Sequence, residues 1–185
     1  MKELLNIVDD HDQVIGEKSR EEIHRDGLLH REIHVYFVTP DQKIIFQHRA
    51  KDKDTYPDLL DATVGGHVEI GHSYAATAVK ETEEETGVRV NESDLIFIDK
   101  VRKKSVDRAT GKINNVFSSC YVYFYPGSIN DLRIEAVKAL GFEAHSLGEL
   151  MNLSVADQAR FISSILKFAV TELAEFIKKY PDKII

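Results

Sequence analysis

The stretch Gly65–Val88, GGHVEIGHSYAATAVKETEEETGV, constrains this chain more than any other. It opens on a glycine pair, the residue type for backbone freedom or close approach, and closes on Gly87, a residue favoured just past a helix C-terminus. The spacing predicts a helix between them, with Ser73 as N-cap, Ala75, Ala78, Val79 and Thr82 at helical intervals, and no proline. Near its end Glu81, Glu84 and Glu85 stand at i, i+3 and i+4, so their side chains leave one face together. Such a cluster is unfavourable by itself. Like charges at that spacing cost roughly 0.2–0.5 kcal/mol per pair, and a helix C-terminus disfavours anions. A bound hard cation resolves the conflict: Mg²⁺ or Mn²⁺ takes oxygen ligands and keeps waters, so a few carboxylates and a substrate phosphate complete its shell. For three glutamates taken alone, a solvated helix end is the competing reading.

The flanking pattern decides between them. Glycine, five residues, Glu, seven residues, Arg-Glu, an apolar residue, any residue, Glu-Glu, any residue, Gly and an apolar residue is the signature of the Nudix hydrolases, and this stretch resembles it. Gly66, Glu81, Glu84, Glu85, Gly87 and Val88 fall in register. His72 stands where the family has Glu, Lys80 where it has Arg, and Thr82 where it has an apolar residue. The first two departures touch the pair that braces the catalytic helix in the family, so a binding module that holds a nucleotide or diphosphate without cleaving it is the alternative to a hydrolase.

At 185 residues the chain suits one domain, read as 1–185, with an N-terminal hairpin extension over about 1–30 and a C-terminal helix over about 154–180. A net charge of −7 argues against binding nucleic-acid polymers or anionic membrane, and no apolar run is long enough to span a bilayer. The single cysteine, Cys120, sits in a strand-like aromatic run and suits a reducing, cytoplasmic setting. Hairpins are expected from Met1 to about Gly16 and from Ile33 to Gln47, with a short helix over Ser19–Asp26 between them. Two strands follow the central helix, over Asp94–Val106 and Asn115–Tyr125, and another short strand lies over Gly141–His145. The longest helical stripe runs from Ser154 to Tyr180. Phe161 and Phe168 widen it, which leaves a homodimer contact open beside plain core packing. The composite is an α/β fold with a mixed sheet and helices on both sides, the α/β/α sandwich that the Nudix resemblance also implies.

Residues 4 to 125 further resemble the isopentenyl-diphosphate isomerase branch of that superfamily. In those isomerases, histidines at positions matching His24, His30 and His67 hold a metal, and basic residues matching Arg49 and Lys53 meet the diphosphate. Taken singly, His24 and His30 are as well explained by packing, and His67 is expected near the substrate beside Gly65 and Gly66. The isomerases also need a cysteine where this chain has Gly65, and two glutamates where it has Asn114 and Val116. Without groups to add and remove a carbon-bound proton, double-bond migration has no mechanism. The resemblance therefore implies a Mg²⁺- or Mn²⁺-dependent hydrolase of a small-molecule diphosphate, such as a nucleoside diphosphate derivative. Glu81, Glu84 and Glu85 would hold the metal, Arg49 and Lys53 the phosphate, and a box glutamate or Glu135 would act as general base. Glu69 is expected at the surface.

Overall fold

Local signals set the N-terminal third. In the computed structural model, which describes residues 3–135 and 138–180, strands β1 (Leu4–Val8) and β2 (Val14–Ser19) form the expected hairpin. Helix α1 (Arg20–Asp26) starts in a capping box of Ser19 with Glu22 and stops at Gly27, whose φ of 66° is the left-handed conformation that suits glycine. The second hairpin comprises β3 (His30–Val38) and β4 (Lys43–Arg49), which pair antiparallel only at Phe37–Ile45 and Val38–Ile44. Below that point the two strands separate. β5 (Leu60–Ala62) pairs with β4, and β6 (Val64–His67) pairs with β3.

Thr63 stands where the chain passes from one strand to the other. Its buried hydroxyl accepts from the Phe37 amide at 2.8 Å and donates to the Ile45 carbonyl, closing the gap that the divergence opens in the ladder.

Helix α2 (Tyr74–Thr86) follows, capped by Ser73 and ended by Gly87. β7 (Ile96–Val106) and β8 (Ile113–Phe124) form a long hairpin, and β8 lies parallel to β3 over nine register pairs, from His30–Val116 to Val38–Phe124. β9 (Ala139–Ser146) pairs with β4. The result is a nine-stranded mixed sheet.

The alternation of β3 determines what each face of the sheet does. Ile33, Val35 and Phe37 join Val64 and Ala78 in the core beneath α2. Tyr36 and Val38 join Phe46, Leu60, Ile165, Leu173 and Ile177 in the core under the C-terminal segment. Further toward the start of β3, that second face carries His30, Glu32 and His34, all buried and all polar.

The expected single helix over 154–180 is broken. Besides α3 (Leu147–Met151), the segment contains α4 (Val155–Gln158), α5 (Ser163–Phe168), a π-helical turn over Ala169–Leu173, and α6 (Ala174–Lys179). The break falls at Phe161, which bridges in parallel to Leu60: Leu60 N–H donates to the Arg160 carbonyl and Ile162 N–H to the Leu60 carbonyl. Phe161 packs edge-on against Phe46 at 5.2 Å between centroids, and Phe168 stacks on Tyr36 at 5.3 Å. The two rings that widened the stripe are therefore core residues.

Replacing Thr63 by the near-isosteric Val would leave the Phe37 amide and the Ile45 carbonyl short of a partner inside the core. We expect Thr63→Val to lower unfolding stability by about 1–3 kcal/mol in urea titrations, with the denaturant slope unchanged.

Candidate active site

Of Glu81, Glu84 and Glu85 on the helix, the first and last are buried and Glu84 is exposed. Glu81 lies against Gly66 so closely that a Cβ there would sit 2.7 Å from the Glu81 carboxyl carbon. Glu85 Oε2 accepts from Gly65 N–H at 3.2 Å and from Gln47 Nε2 at 3.1 Å. The glycine pair thus admits one carboxylate by having no side chain and holds the other by its backbone. Burial, with the Glu81 charge added, pushes the Glu85 carboxyl up to about 7. Burial also raises Glu81, with Lys138 opposing it.

The brace of this helix is rebuilt from a different residue. Lys80 Nζ lies 2.5 Å from Glu69 Oε1 and 3.4 Å from Glu84 Oε2, while His72 Nδ1 stands 3.6 Å from the other oxygen of Glu69. Glu69, expected to be a surface residue, is the anion that ties the approach loop to the helix. The sequence pattern alone could not reveal this, since Glu69 is three residues ahead of the box position. Thr82, at an apolar position, is buried at no cost because its hydroxyl donates to the Ala78 carbonyl at 2.7 Å.

In front of the carboxylates opens a cavity of about 380 Å³. Lys53 lines it, half-buried, its ammonium in no ion pair or hydrogen bond among the described residues; burial and then Arg49 lower its pKa. Arg49 also lines it, but its guanidinium is engaged with Asp61 Oδ2 at 2.9 Å and with the Tyr56 and Thr55 carbonyls at 3.1 and 2.8 Å. It therefore shapes the loop that roofs the cavity, and most of its donors are committed there. Asp54 pins the same loop to Arg20 of α1 and to Lys112. Lys138 reaches the cavity with Glu135 3.0 Å from its ammonium and Glu85 and Glu81 within electrostatic range; Glu135 itself is not in the lining.

The structure gathers His24, His30 and His67, which the sequence could not distinguish from packing residues. One nitrogen from each falls within 4.8 Å of the others. His24 and His30 hold their Nδ1 atoms on the Ile113 and Leu28 carbonyls at 3.2 and 2.9 Å, which leaves each Nε2 as the free lone pair. His24 Nε2 lies 3.2 Å from His67 Nε2, and His30 Nε2 is buried without a hydrogen-bond partner among the described residues. Burial lowers all three, His24 to about 4, so each is neutral at pH 7. A neutral imidazole tripod suits a borderline transition metal.

Cys120 is buried, with its thiol pushed up by burial to about 12, and is inert. No helix among the described residues is long and apolar enough to cross a membrane.

Comparison with known proteins places this geometry. The NUDIX domain family matches residues 28–162. An uncharacterised Nudix hydrolase of Clostridium acetobutylicum is 29% identical over 171 residues, 88% of this chain and 75% of that protein. Nudix hydrolase 3 of Arabidopsis thaliana is 36% identical over 106 residues, 57% of this chain and only 14% of its own length. Among solved structures, a Deinococcus radiodurans protein superposes with a TM-score of 0.64 at 18% identity, covering 96% of this chain and 98% of its own. The Nudix domain of Shewanella oneidensis NrtR, complexed with ADP-ribose, gives 0.57 at 16% identity over 80% and 87% of the two chains. A Caenorhabditis elegans Ap4A hydrolase gives 0.52 at 14% over 80% and 99%.

Two outcomes are expected of these contacts. Glu69→Gln removes the anion that Lys80 grips, so the turnover rate should fall several-fold to about tenfold with the circular dichroism spectrum unchanged, and His72→Glu in that background should restore it. In metal-free protein, Glu85 binds its proton more tightly folded than unfolded. The folded chain therefore holds the extra proton between about pH 4.5 and 7, and stability falls as pH rises through that window. The contribution is on the order of 3 kcal/mol. Melting curves in EDTA should show this decline in the wild type, and a flatter profile in Glu85→Gln.

Proposed function

Because the chain belongs to the Nudix family of diphosphate-cleaving hydrolases, we propose that its cavity binds a small-molecule diphosphate and hydrolyses the phosphoanhydride with a divalent cation held by Glu81, Glu84 and Glu85. The observation that carries this reading is the burial of Glu81 and Glu85 against the glycine pair, where desolvation raises both carboxyls and the Glu81 charge adds to the rise at Glu85. Their donor set is all oxygen, which fits Mg²⁺ or Mn²⁺. Such an ion, when bound, offsets charge on the phosphoryl oxygens and acidifies the attacking water.

The chain's own groups supply the remainder. Lys53 offers the leaving phosphate an ammonium that is in no ion pair among the described residues, and Arg49 holds the loop that carries it. Gly65 orients Glu85 through its amide, and Gly66 lets Glu81 approach. Glu81 or Glu85 takes the proton from water. Glu135 does so only if it releases Lys138, its partner at 3.0 Å. His67, beside the glycine pair, completes with His24 and His30 a second, nitrogen-lined metal position of the kind the isomerase resemblance implies. The box departures that spoke for a binding module lose force, because Glu69 with Lys80 replaces the missing brace. Isomerisation lacks its acid at Gly65 and its glutamates at Asn114 and Val116.

The ADP-ribose bound to the Shewanella oneidensis NrtR domain and the Ap4A that names the Caenorhabditis elegans hydrolase make nucleoside diphosphate derivatives the first compounds to screen. With Mg²⁺, phosphate-containing products should form from at least one of them, while Glu84→Gln and Glu85→Gln should each lower the rate by about 100-fold or more and stay folded. Unchanged turnover in both variants would remove the carboxylates from the mechanism.

A further inference from the structure

Part of the cavity wall lies away from the carboxylates and takes no part in the hydrolysis. There Lys103 of β7, Asn114 of β8 and Glu32 of β3 meet. Lys103 Nζ stands 2.9 Å from Glu32 Oε1, and Asn114 Nδ2 donates to Glu32 Oε2 at 3.1 Å. The second contact fixes the amide. With the nitrogen on the carboxylate, Oδ1 is the free acceptor, and it is buried with no hydrogen-bond donor among the described residues. Lys103 has three N–H donors, and Glu32 is its only ion-pair or hydrogen-bond partner among the described residues. One carboxylate therefore holds a donor and an acceptor at fixed positions, each short of a partner.

This wall is not a phosphate site. Glu32 cancels the Lys103 charge, and the free Oδ1 would repel a phosphate oxygen. Among the described cations that line the cavity, the one in no ion pair is Lys53, beside Glu85. A hydrocarbon group is also a poor match, since it would strip water from an ion pair and an amide without replacing their hydrogen bonds. Base stacking finds no bare aromatic face. Tyr56 is the only Phe, Tyr or Trp in the lining; its hydroxyl is bonded to Ser105 Oγ at 2.6 Å and its ring packs against the core. A hydroxyl both accepts and donates, and neighbouring hydroxyls on one ring would satisfy the ammonium and the amide oxygen together.

We propose that Lys103 and Asn114 form a specificity subsite that selects diphosphates carrying a hydroxylated ring, a sugar, over those carrying a hydrocarbon chain. Lys103 donates to a ring hydroxyl, and a hydroxyl donates to Asn114 Oδ1. Glu32 positions both without touching the substrate. The proposal rests on the diphosphate-hydrolase reading, and its test separates the two.

The probes are ADP-ribose, geranyl diphosphate and inorganic pyrophosphate, each with Mg²⁺. Wild-type protein should favour ADP-ribose over geranyl diphosphate by 100-fold or more in kcat/KM, since a site built to hydrogen-bond a hydroxyl strongly rejects a group that lacks one. Asn114→Ala should raise the KM for ADP-ribose about tenfold with kcat nearly unchanged, and should leave pyrophosphate cleavage as it was; a residue needed only for the fold would lower all three rates together. Lys103→Met tests the donor. Should its unpaired Glu32 prevent folding, Asn114→Ala carries the test alone. Calorimetric binding with Ca²⁺ in place of Mg²⁺ reads the same preference without turnover. A wild-type preference for geranyl diphosphate, or an Asn114→Ala protein with the wild-type ratio in both kinetics and binding, would overturn the subsite. If no probe is cleaved but calorimetry shows a preference for ADP-ribose that Asn114→Ala abolishes, the hydrolase reading fails and the subsite stands.

Discussion

Two carboxylates that repel each other, Glu81 and Glu85, are held out of water against a pair of glycines, and much of the architecture serves that confinement. β6 reaches α2 at van der Waals distance only because Gly66 lacks a side chain. Gln47 crosses from β4 to give Glu85 a donor, and Lys80 anchors the helix to Glu69 on the approach loop. Lys138 and Lys53 stand nearby as counter-charges. Each of these contacts is weak or costly in isolation. Together they keep an acceptor-rich concavity open that polar solvent alone would not stabilise, and that a cation completes.

The cavity is electrostatically divided. Near the carboxylates, excess negative charge faces ammonium groups, an arrangement that suits a cation with a polyanionic ligand. Across it, Glu32 and Lys103 neutralise each other within 2.9 Å, and their surroundings favour hydrogen bonding over charge. Burial acts against ionisation of Glu32, yet Lys103 and His34 hold it below the usual carboxylate range. That division follows from the alternation of β3, which sends Ile33, Val35 and Phe37 to one core and the polar residues His30, Glu32 and His34 to the other face.

Features that depend on local chemistry were legible in the sequence. Ser19 with Gly27, and Ser73 with Gly87, bracket their helices by capping rules that need no tertiary information. The carboxylate trio was legible because helical periodicity alone puts three residues on one face. What escaped were the contacts across long separations. The replacement of the brace by Glu69 depends on how the loop after β6 turns back, and the histidine tripod depends on α1 settling beside β3 and β6. The helix break at Phe161 was hidden because its apolar stripe continues through it: a bridge to Leu60, set by tertiary pairing, overrides the local helical preference. Arg49 reads as a free cation in the sequence, and only the fold brings Asp61 and two carbonyls around it.

The parallel alignment of β3 with β8 has a consequence for how the molecule comes into being. His34 and Ser118, joined at 2.9 Å beside the cavity, are 84 residues apart, and no hairpin can bring such partners together early. Loop-closure entropy must be overcome before the floor of the cavity exists, so the N-terminal hairpins and α1 can order first while the polar face of β3 waits uncovered. During synthesis that interval lasts at least until β8 has left the ribosome, with β3 presenting an unpaired edge throughout. The buried histidines and Glu32 on that strand make the waiting edge less adhesive than an apolar one. Glu32 and His34, which line the finished cavity, thus keep that uncovered face of the strand polar while the chain is incomplete, a placement that discourages aggregation.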